Sequence, residues 1–410
     1  MLSILKKTYV PLASLFIFVI GSGLFTTLIA LRLHADNTNP LLIGSMTTAY
    51  YLGLMLGAFR IERFIVRVGH IRAFSAFSST LAVICILHGI FVEPWLWLLF
   101  RLMGGFATAG LLVVIESWLL IAGTINTRGQ VLALYMITFY AAQALGQLLL
   151  NLASPSDLLL YAIAGMTASL AVIPLAMSRV ESPQIDEPSS LNLKKLYHTS
   201  PTGVIGSSCA GLLLGALYGL MPIYFSHITN HISEVSWYMA TIILGGMLLQ
   251  YPIGRLSDYV DRRLVLIFVS LATAIVAVMM LSIKSDNWFL AVTSFLFGGL
   301  AFTLYPISIS HTCDLLDAKD IVSGTQGLVL TYSIGACLGP LLAPIFIHYF
   351  MIPGIFFYYV LICVFLAGFF AWRKFQKPAT PKAAQEQFVI MPQTTPVVSE
   401  LDPRSEEQKS

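Results

Sequence analysis

The feature that most constrains this chain is a series of twelve mostly apolar stretches, each of about 20 residues or more. A helix of that length crosses the hydrocarbon core of a bilayer. Charged residues make up 10% of the sequence, whereas a soluble domain carries about 25%. We therefore predict an all-α polytopic membrane protein. The predicted spans are 9–32, 41–61, 73–92, 94–122, 130–151, 158–178, 202–225, 234–254, 264–283, 287–310, 322–349 and 354–372.

The distribution of positive charge predicts the orientation. With the N-terminus placed in the cytoplasm, twenty of the 23 Lys and Arg residues fall on the cytoplasmic side. Arg32 and Lys284 fall on the other side, and Arg101 lies inside a span. The positive-inside rule then places both termini in the cytoplasm, which an even number of spans permits.

A polar segment rich in Pro and Ser, 179–201, divides the chain into two sets of six spans, 1–178 and 202–372. Its composition is typical of a cytoplasmic linker, with a short surface helix at its end. Residues 373–410 are polar, Pro-rich and of mixed charge, and we predict a disordered cytoplasmic tail. The run FVIMP within it is interpreted as a chance apolar run, with a docking stretch as the alternative.

The two halves resemble each other in sequence. LGLMLGAF in the second span aligns with LGGMLLQ in the eighth, and MGGFATAG in the fourth aligns with FGGLAFTL in the tenth. The two matches occur at nearly the same offset, which indicates an internal duplication. Two pseudo-symmetric six-helix bundles are the architecture of alternating-access transporters, which hold a solute between the halves.

The segment GRLSDYVDRR (254–263) resembles the signature loop of the major facilitator superfamily. The resemblance assigns this loop a gating role. Gly254 would let two helices approach, and Asp258 would cap a helix N-terminus. Arg262 and Arg263 would anchor the loop at the anionic leaflet.

The first-half copy of this loop, ERFIVRVGHIR, keeps Arg67 and Arg72 but has Glu62 and Val66 where the family has Gly and Asp. RLMGGFATAG resembles the fourth-helix motif of the family, with an intramembrane Arg followed by close-packing glycines. Those glycines are Gly104 and Gly105.

The runs VVIESWL, NTRGQVLALYM, LYGLMPIY, YPIGRLSD, FTLYPISIS and GACLGP together resemble the YcaD group of this superfamily, which are bacterial inner-membrane transporters. In GACLGP, Gly335, Gly339 and Pro340 would permit the close packing and bending that a rocking bundle needs. The resemblance implies a proton-coupled secondary transporter without a cofactor or metal.

Glu116 is the one acidic residue that lies well within a predicted span. An unpaired charge there costs on the order of 3 kcal/mol, so the carboxylate must be protonated, paired or facing a wet cavity. We favour a latch, in which Glu116 meets the basic loop at Arg72 when the cytoplasmic side is shut. A proton-coupling role and a structural hydrogen bond or ion pair are the alternatives.

Arg101 lies about 22 Å along the fourth span from Glu116 and cannot pair with it. It hydrogen-bonds backbone carbonyls and amide side chains, or it faces the cavity, where it would meet an anion or serve coupling. The remaining alternative is a snorkelling or packing residue near the outer interface. Tyr140, Gln143, Gln147 and Asn151 form one stripe on the fifth span, which would line the cavity or bond to a neighbouring helix. Weaker candidates in the second half are Tyr218, Tyr224, Tyr305, Gln326 and Tyr332.

These observations predict a monomeric transporter of the bacterial inner membrane that moves a small solute by alternating access, with protons and membrane lipid as its other partners. No nucleic-acid partner and no catalytic motif is indicated. A lipid-modifying membrane enzyme would need a nucleophile and a base close together, but His88 and His311 are predicted at opposite faces. A transport-fold sensor or scaffold without flux is the other alternative.

Overall fold

The structure, a computed structural model, describes residues 2–124, 126–177, 193–229, 231–283, 285, 287–376, 381–382 and 385–405. These ranges contain α-helices and short 3-10 turns and no β-strand. Within the described residues, twelve helices are long and apolar enough to cross a membrane. The predicted all-α class with twelve spans is therefore confirmed.

Seven helices form the first half, and the sixth span consists of the two consecutive helices α6 and α7. They are α1 (Leu2–Ala35), α2 (Pro40–Val68), α3 (His70–Ile90), α4 (Pro94–Ala122), α5 (Arg128–Leu148), α6 (Leu158–Leu170) and α7 (Val172–Ala176). Several helices extend beyond the predicted spans, because hydropathy marks the membrane-embedded part and the helix continues into polar sequence at either end.

The second half follows a short helix, α8 (Leu193–Thr199), which forms the later part of the predicted linker. The first part of that linker lies outside the described residues. The spanning helices of this half are α9 (Pro201–Ile228), α10 (Ile232–Tyr259), α11 (Arg262–Leu281), α12 (Trp288–Cys313), α13 (Ile321–Phe350) and α14 (Gly354–Gln376).

Helix packing repeats in the two halves. In the first, α2 packs on α4, α1 on α5, and α3 on α6; in the second, α10 packs on α12, α9 on α13, and α11 on α14. Between the halves, α2 packs against α13 and α5 against α10. Each helix pair of the first half corresponds to one of the second half, and the two contacts between the halves correspond to each other. This is the packing expected of a duplicated bundle.

Side-chain caps define several helix starts. Asn39 accepts a hydrogen bond from the Leu41 amide at the start of α2, and Asp261 accepts one from the Arg263 amide at the start of α11. The prediction that Asp258 is the cap is wrong, because α10 continues past residue 254 and includes Asp258 in its last turn.

Glycines allow close backbone contact between the helices. A Cβ at Gly105 would lie 2.0 Å from the Tyr50 carbonyl oxygen, and one at Gly335 would lie 2.0 Å from the Ser208 carbonyl oxygen. Gly339 approaches the Leu212 carbonyl oxygen in the same way. Gly104 does not have the close-packing role predicted for it, because the nearest side-chain atom would lie 3.7 Å from a Cβ at this position.

Residues 385–405, called the tail segment below, differ from the predicted disorder. The segment packs between the halves and forms a 3-10 helix at Pro396–Leu401. Met391, Val397, Val398 and Leu401 are each at most 1% exposed. Burying these apolar side chains between the bundles stabilises a packed conformation that composition alone does not predict.

The adjacent glycines of α4 allow a matched test of helix packing. We expect Gly105→Ala to lower the stability of the folded protein by about 1–3 kcal/mol, because the new methyl group collides with the α2 backbone. Gly104→Ala should leave stability unchanged or raise it, because the site has room and Ala favours helix. Thermal unfolding of both variants in detergent is the measurement, and equal melting temperatures would contradict the packing described.

Candidate functional site

A cavity lies at the seam between the two halves. The space open to the centre of a water-sized sphere is about 90 Å³. Helices α1, α2, α4 and α5 of the first half line it together with α9 and α13 of the second, and the tail segment covers one end. Below, the side of the protein at which α14 ends is called the tail side, and the other is called the opposite side.

The cavity wall is aromatic and rich in hydrogen-bonding groups. Five tyrosines line it: Tyr50, Tyr51, Tyr140, Tyr218 and Tyr332. The remaining polar lining consists of two glutamines, Gln143 of α5 and Gln393 of the tail segment, and of Ser and Thr hydroxyls. A wall of this kind can bind a solute with an apolar or flat body and several neutral polar groups.

Hydrogen bonds across the seam connect the cavity residues. The Tyr218 hydroxyl donates to Gln143 Oε1 at 3.2 Å. Gln250 Nε2 lies 3.4 Å from the Tyr140 hydroxyl and donates to the Phe302 carbonyl oxygen at 2.8 Å. The cavity wall and the contact between the halves therefore share residues.

The predicted stripe on α5 divides between two roles. Tyr140 and Gln143 line the cavity. Gln147 is buried and donates from Nε2 to the Gly23 carbonyl oxygen of α1 at 2.9 Å. Asn151 lies past the end of α5 and accepts a hydrogen bond from Ser236 Oγ of α10 at 3.1 Å. The stripe has both roles because α5 packs against α1 within its own half and against α10 across the seam.

Of the candidates in the second half, Tyr218 and Tyr332 line the cavity. Tyr224 instead donates to the Met280 carbonyl oxygen at 2.8 Å within its own half. The Tyr305 ring packs 5.0 Å from that of Tyr332, and its hydroxyl has no hydrogen-bond partner among the described residues. Gln326 is half-buried and is not part of the cavity wall.

Arg101 is 3% exposed and lies inside the first half, which differs from the snorkelling alternative. Its guanidinium carbon lies 4.5 Å from the centre of the Tyr50 ring, and Nε lies 3.4 Å from the Met46 carbonyl oxygen. It lines a small side pocket that shares Phe18 and Tyr50 with the central cavity. A cation over an aromatic ring is stabilised by about 0.5–2 kcal/mol, which offsets part of the cost of burial.

Glu116 is fully buried, near the tail-side end of α4. Tyr135 of α5 donates to Oε1 at 2.8 Å, and Thr394 of the tail segment donates to the same oxygen at 2.5 Å. Thr395 donates to Oε2. Hydroxyl groups, rather than the basic loop, thus surround this carboxylate.

Arg67 and Arg72 lie at the tail-side turn between α2 and α3, and both are exposed. Neither forms an ion pair with Glu116 among the described residues. The predicted pairing of Arg72 with Glu116 is therefore absent from this conformation, in which the tail segment occupies the space beside Glu116.

The basic loop of the second half is buried, which differs from its predicted place at the lipid headgroups. Arg262 donates from Nε to Asp314 Oδ2 at 2.7 Å, and both side chains are 1% exposed. Burial raises the pKa of the Asp314 carboxyl, although the nearby Arg262 guanidinium acts in the opposite direction. Arg263 pairs with Asp261 at 2.9 Å, so both arginines are satisfied inside the protein.

Gly254 and Asp258, predicted for helix approach and capping, contact the tail segment. A Cβ at Gly254 would lie 2.1 Å from a ring carbon of Phe388. Asp258 accepts a hydrogen bond from the Phe388 amide at 2.9 Å and lies 3.4 Å from Arg262. The glycine thus makes room for an aromatic ring of the tail segment.

Sequence reasoning missed several residues of this site. Tyr50, Tyr51, Gln250 and Asp314 belong to no motif that the sequence shows. The tail segment had one signal, the apolar run FVIMP, which contains Phe388. Among the described residues, no cluster of His, Cys, Asp or Glu side chains could hold a metal ion.

The sequence profile described as Major Facilitator Superfamily matches this chain at residues 12–229 and again at 203–401. The chain belongs to the major facilitator superfamily. It is therefore a multi-pass membrane protein of a family that transports small solutes. The two matches correspond to the two halves of the fold.

Among curated proteins, the chain is 30% identical over 367 residues to the uncharacterized MFS-type transporter YcaD of Escherichia coli O6:K15:H31. That alignment covers 87% of this chain and 95% of the relative. The same similarity holds for YcaD of the strain K12 / DH10B.

Two solved transporters share the fold. The nucleoside transporter NupG superposes with a TM-score of 0.76 at 14% identity, over 91% of this chain and 99% of NupG. A bacterial homologue of the human lysosomal transporter Spinster, in an inward-facing and occupied conformation, gives a TM-score of 0.70 at 14% identity. That superposition covers 92% of this chain and 97% of the other.

Proposed function

We propose that this protein moves a small solute across the bacterial inner membrane by alternating access, with both termini in the cytoplasm. The observation that carries the proposal is a seam cavity that both halves line, with direct contacts between the halves on one side of it. Under this orientation, which the distribution of Lys and Arg supports, the tail side faces the cytoplasm.

Contacts between helices of the two halves close the opposite side. Thr48 of α2 donates to the Cys337 carbonyl oxygen of α13 at 2.7 Å. Gly44 meets the Pro340 backbone so closely that a Cβ would lie 1.9 Å from its carbonyl oxygen. Small residues let the two backbones approach closely, and alternating access requires this contact to be reversible.

The composition of the cavity wall supports a neutral cargo that combines a flat or apolar body with several hydroxyl or amide groups. Tyrosine faces bind flat surfaces, and their hydroxyls with Gln143 provide donors and acceptors. Among the described residues no ionised side chain lines the central cavity, and Arg101 lies in the adjoining side pocket. A cargo with an anionic substituent could place it there.

For the energy source we propose the proton gradient, with Glu116 as the coupling residue. Its carboxylate is buried, and hydroxyls surround it rather than a cation. A carboxyl in such a site can gain or lose a proton as its surroundings change between the two conformations. A latch between Glu116 and Arg72 in the conformation closed on the tail side is compatible with this role.

Two variants, one at Gln143 and one at Gln326, test whether the cavity is the binding site. A ligand found in a panel of neutral aromatic and hydroxylated metabolites should raise the melting temperature of the wild-type protein, because it binds only the folded state. Gln143→Leu should abolish that shift, whereas Gln326→Leu, which alters a glutamine outside the cavity, should preserve it. Equal shifts in both variants would contradict the cavity as the binding site.

Two variants, one at Glu116 and one at Glu62, test the coupling role. In vesicles, Glu116→Gln should retain downhill exchange of the solute but lose accumulation driven by a pH gradient. Glu62→Gln, at a half-buried carboxylate of α2, should accumulate solute as the wild type does. Undiminished accumulation by Glu116→Gln would exclude Glu116 as the coupling residue.

A further inference from the structure

The tail segment crosses the seam and contacts both halves. On the first-half side, Thr394 and Thr395 donate to Glu116, and Arg128 of α5 lies 3.5 Å from Ser405 Oγ. On the second-half side, its residues contact α10, α12 and α13. The tail segment therefore bridges the two halves at the tail side.

The contacts of the tail segment are specific. The Glu386 amide donates to Asp314 Oδ1 at 3.0 Å, and Arg262 donates to the Glu386 carbonyl oxygen. Arg404, paired with Asp402 at 2.6 Å, also donates to Ser310 Oγ at 3.2 Å. Charge-assisted hydrogen bonds of this kind fix the position of the segment against the second half.

Apolar burial accompanies these polar contacts. The Phe388 ring fills the space left by the missing side chain of Gly254. Val398 is fully buried, as are Met391 and Leu401. The tail segment thus combines a buried apolar core with paired charges, as a bound peptide does.

The position of the segment overlaps the solute path. Pro392, Gln393 and Thr394 form part of the wall of the central cavity, beside Tyr140 and Met136. A solute leaving the cavity towards the tail side would meet these residues first. The segment also covers Glu116, Gly254, Asp258 and Arg262, which are four of the residues that the sequence predicts for closure of this side.

We infer that the space between the two halves on the tail side is a peptide-binding site, and that residues 385–405 of this chain are its ligand. While bound, they hold the two halves apart at the tail side and block the solute path. Transport then requires the segment to leave, so its release sets how much of the protein is active. The effect on flux rests on the proposed transport function; the binding of the segment and the spacing of the halves do not.

Spin labels can measure the spacing directly. Gln130 at the start of α5 and Tyr259 at the end of α10 are exposed on the tail side, and α5 packs against α10 across the seam. Gln130→Cys and Tyr259→Cys would be labelled in full-length protein, in a Cys337→Ser background because the other cysteines are buried. Pulsed electron paramagnetic resonance then gives the distance distribution.

Phe388→Ala and Val398→Asp should release the segment and add a population with a shorter distance between the labels. Gln387→Ala, at the exposed neighbour of Phe388, should match the wild type. A synthetic peptide of residues 385–405, added to Val398→Asp, should restore the wild-type distribution. In vesicles the two releasing variants should transport solute several-fold faster than wild type and Gln387→Ala.

Identical distance distributions in all four proteins would overturn the inference, as would a peptide without effect on Val398→Asp. A shorter population with unchanged or slower flux would show that the segment binds but does not inhibit, and would overturn the inhibitory role. If none of the four proteins transports any solute, the proposed function fails. The distance distributions and the effect of the added peptide then still show whether the segment holds the halves apart.

Discussion

Inside a bilayer, every backbone N–H and C=O group must find its hydrogen-bond partner within the protein, and this constraint determines the rest of the structure. It forces the apolar stretches into helices, and it also makes each ionisable side chain among them expensive. Arg101 and Glu116 are accordingly both buried away from lipid. One lies against an aromatic ring and a carbonyl oxygen, and the other among hydroxyl groups.

The lipid environment also explains why the halves meet through small residues on the opposite side, at Gly44 and Thr48. Lipid tails are as apolar as a leucine, so helices associate by close packing rather than by hydrophobic burial. Gly105, Gly335 and Gly339 bring backbones together within each half, and Gly44 does so between the halves. Contacts between the halves that need no large interlocking side chains can separate again, and the proposed transport cycle depends on this.

Much of the fold could be predicted because hydropathy and charge distribution are properties of the sequence alone. The site was harder, because helices cross at angles that a stripe of residues does not reveal. Gln143 and Gln147 lie four residues apart on α5, yet one faces the cavity and the other bonds to α1. The tail segment was missed for a related reason. Its apolar residues are few, and their burial depends on the shape of the space between the two bundles.

Alternating access requires that the two halves separate and close again at the seam. Thr48→Cys places a thiol on α2 next to Cys337 of α13, on the opposite side. A short bis-maleimide should join the two thiols and arrest solute flux, whereas the same treatment in a Cys337→Ser background should leave flux unchanged. Mass spectrometry would verify the cross-link. Undiminished flux through fully cross-linked protein would contradict alternating access at this seam.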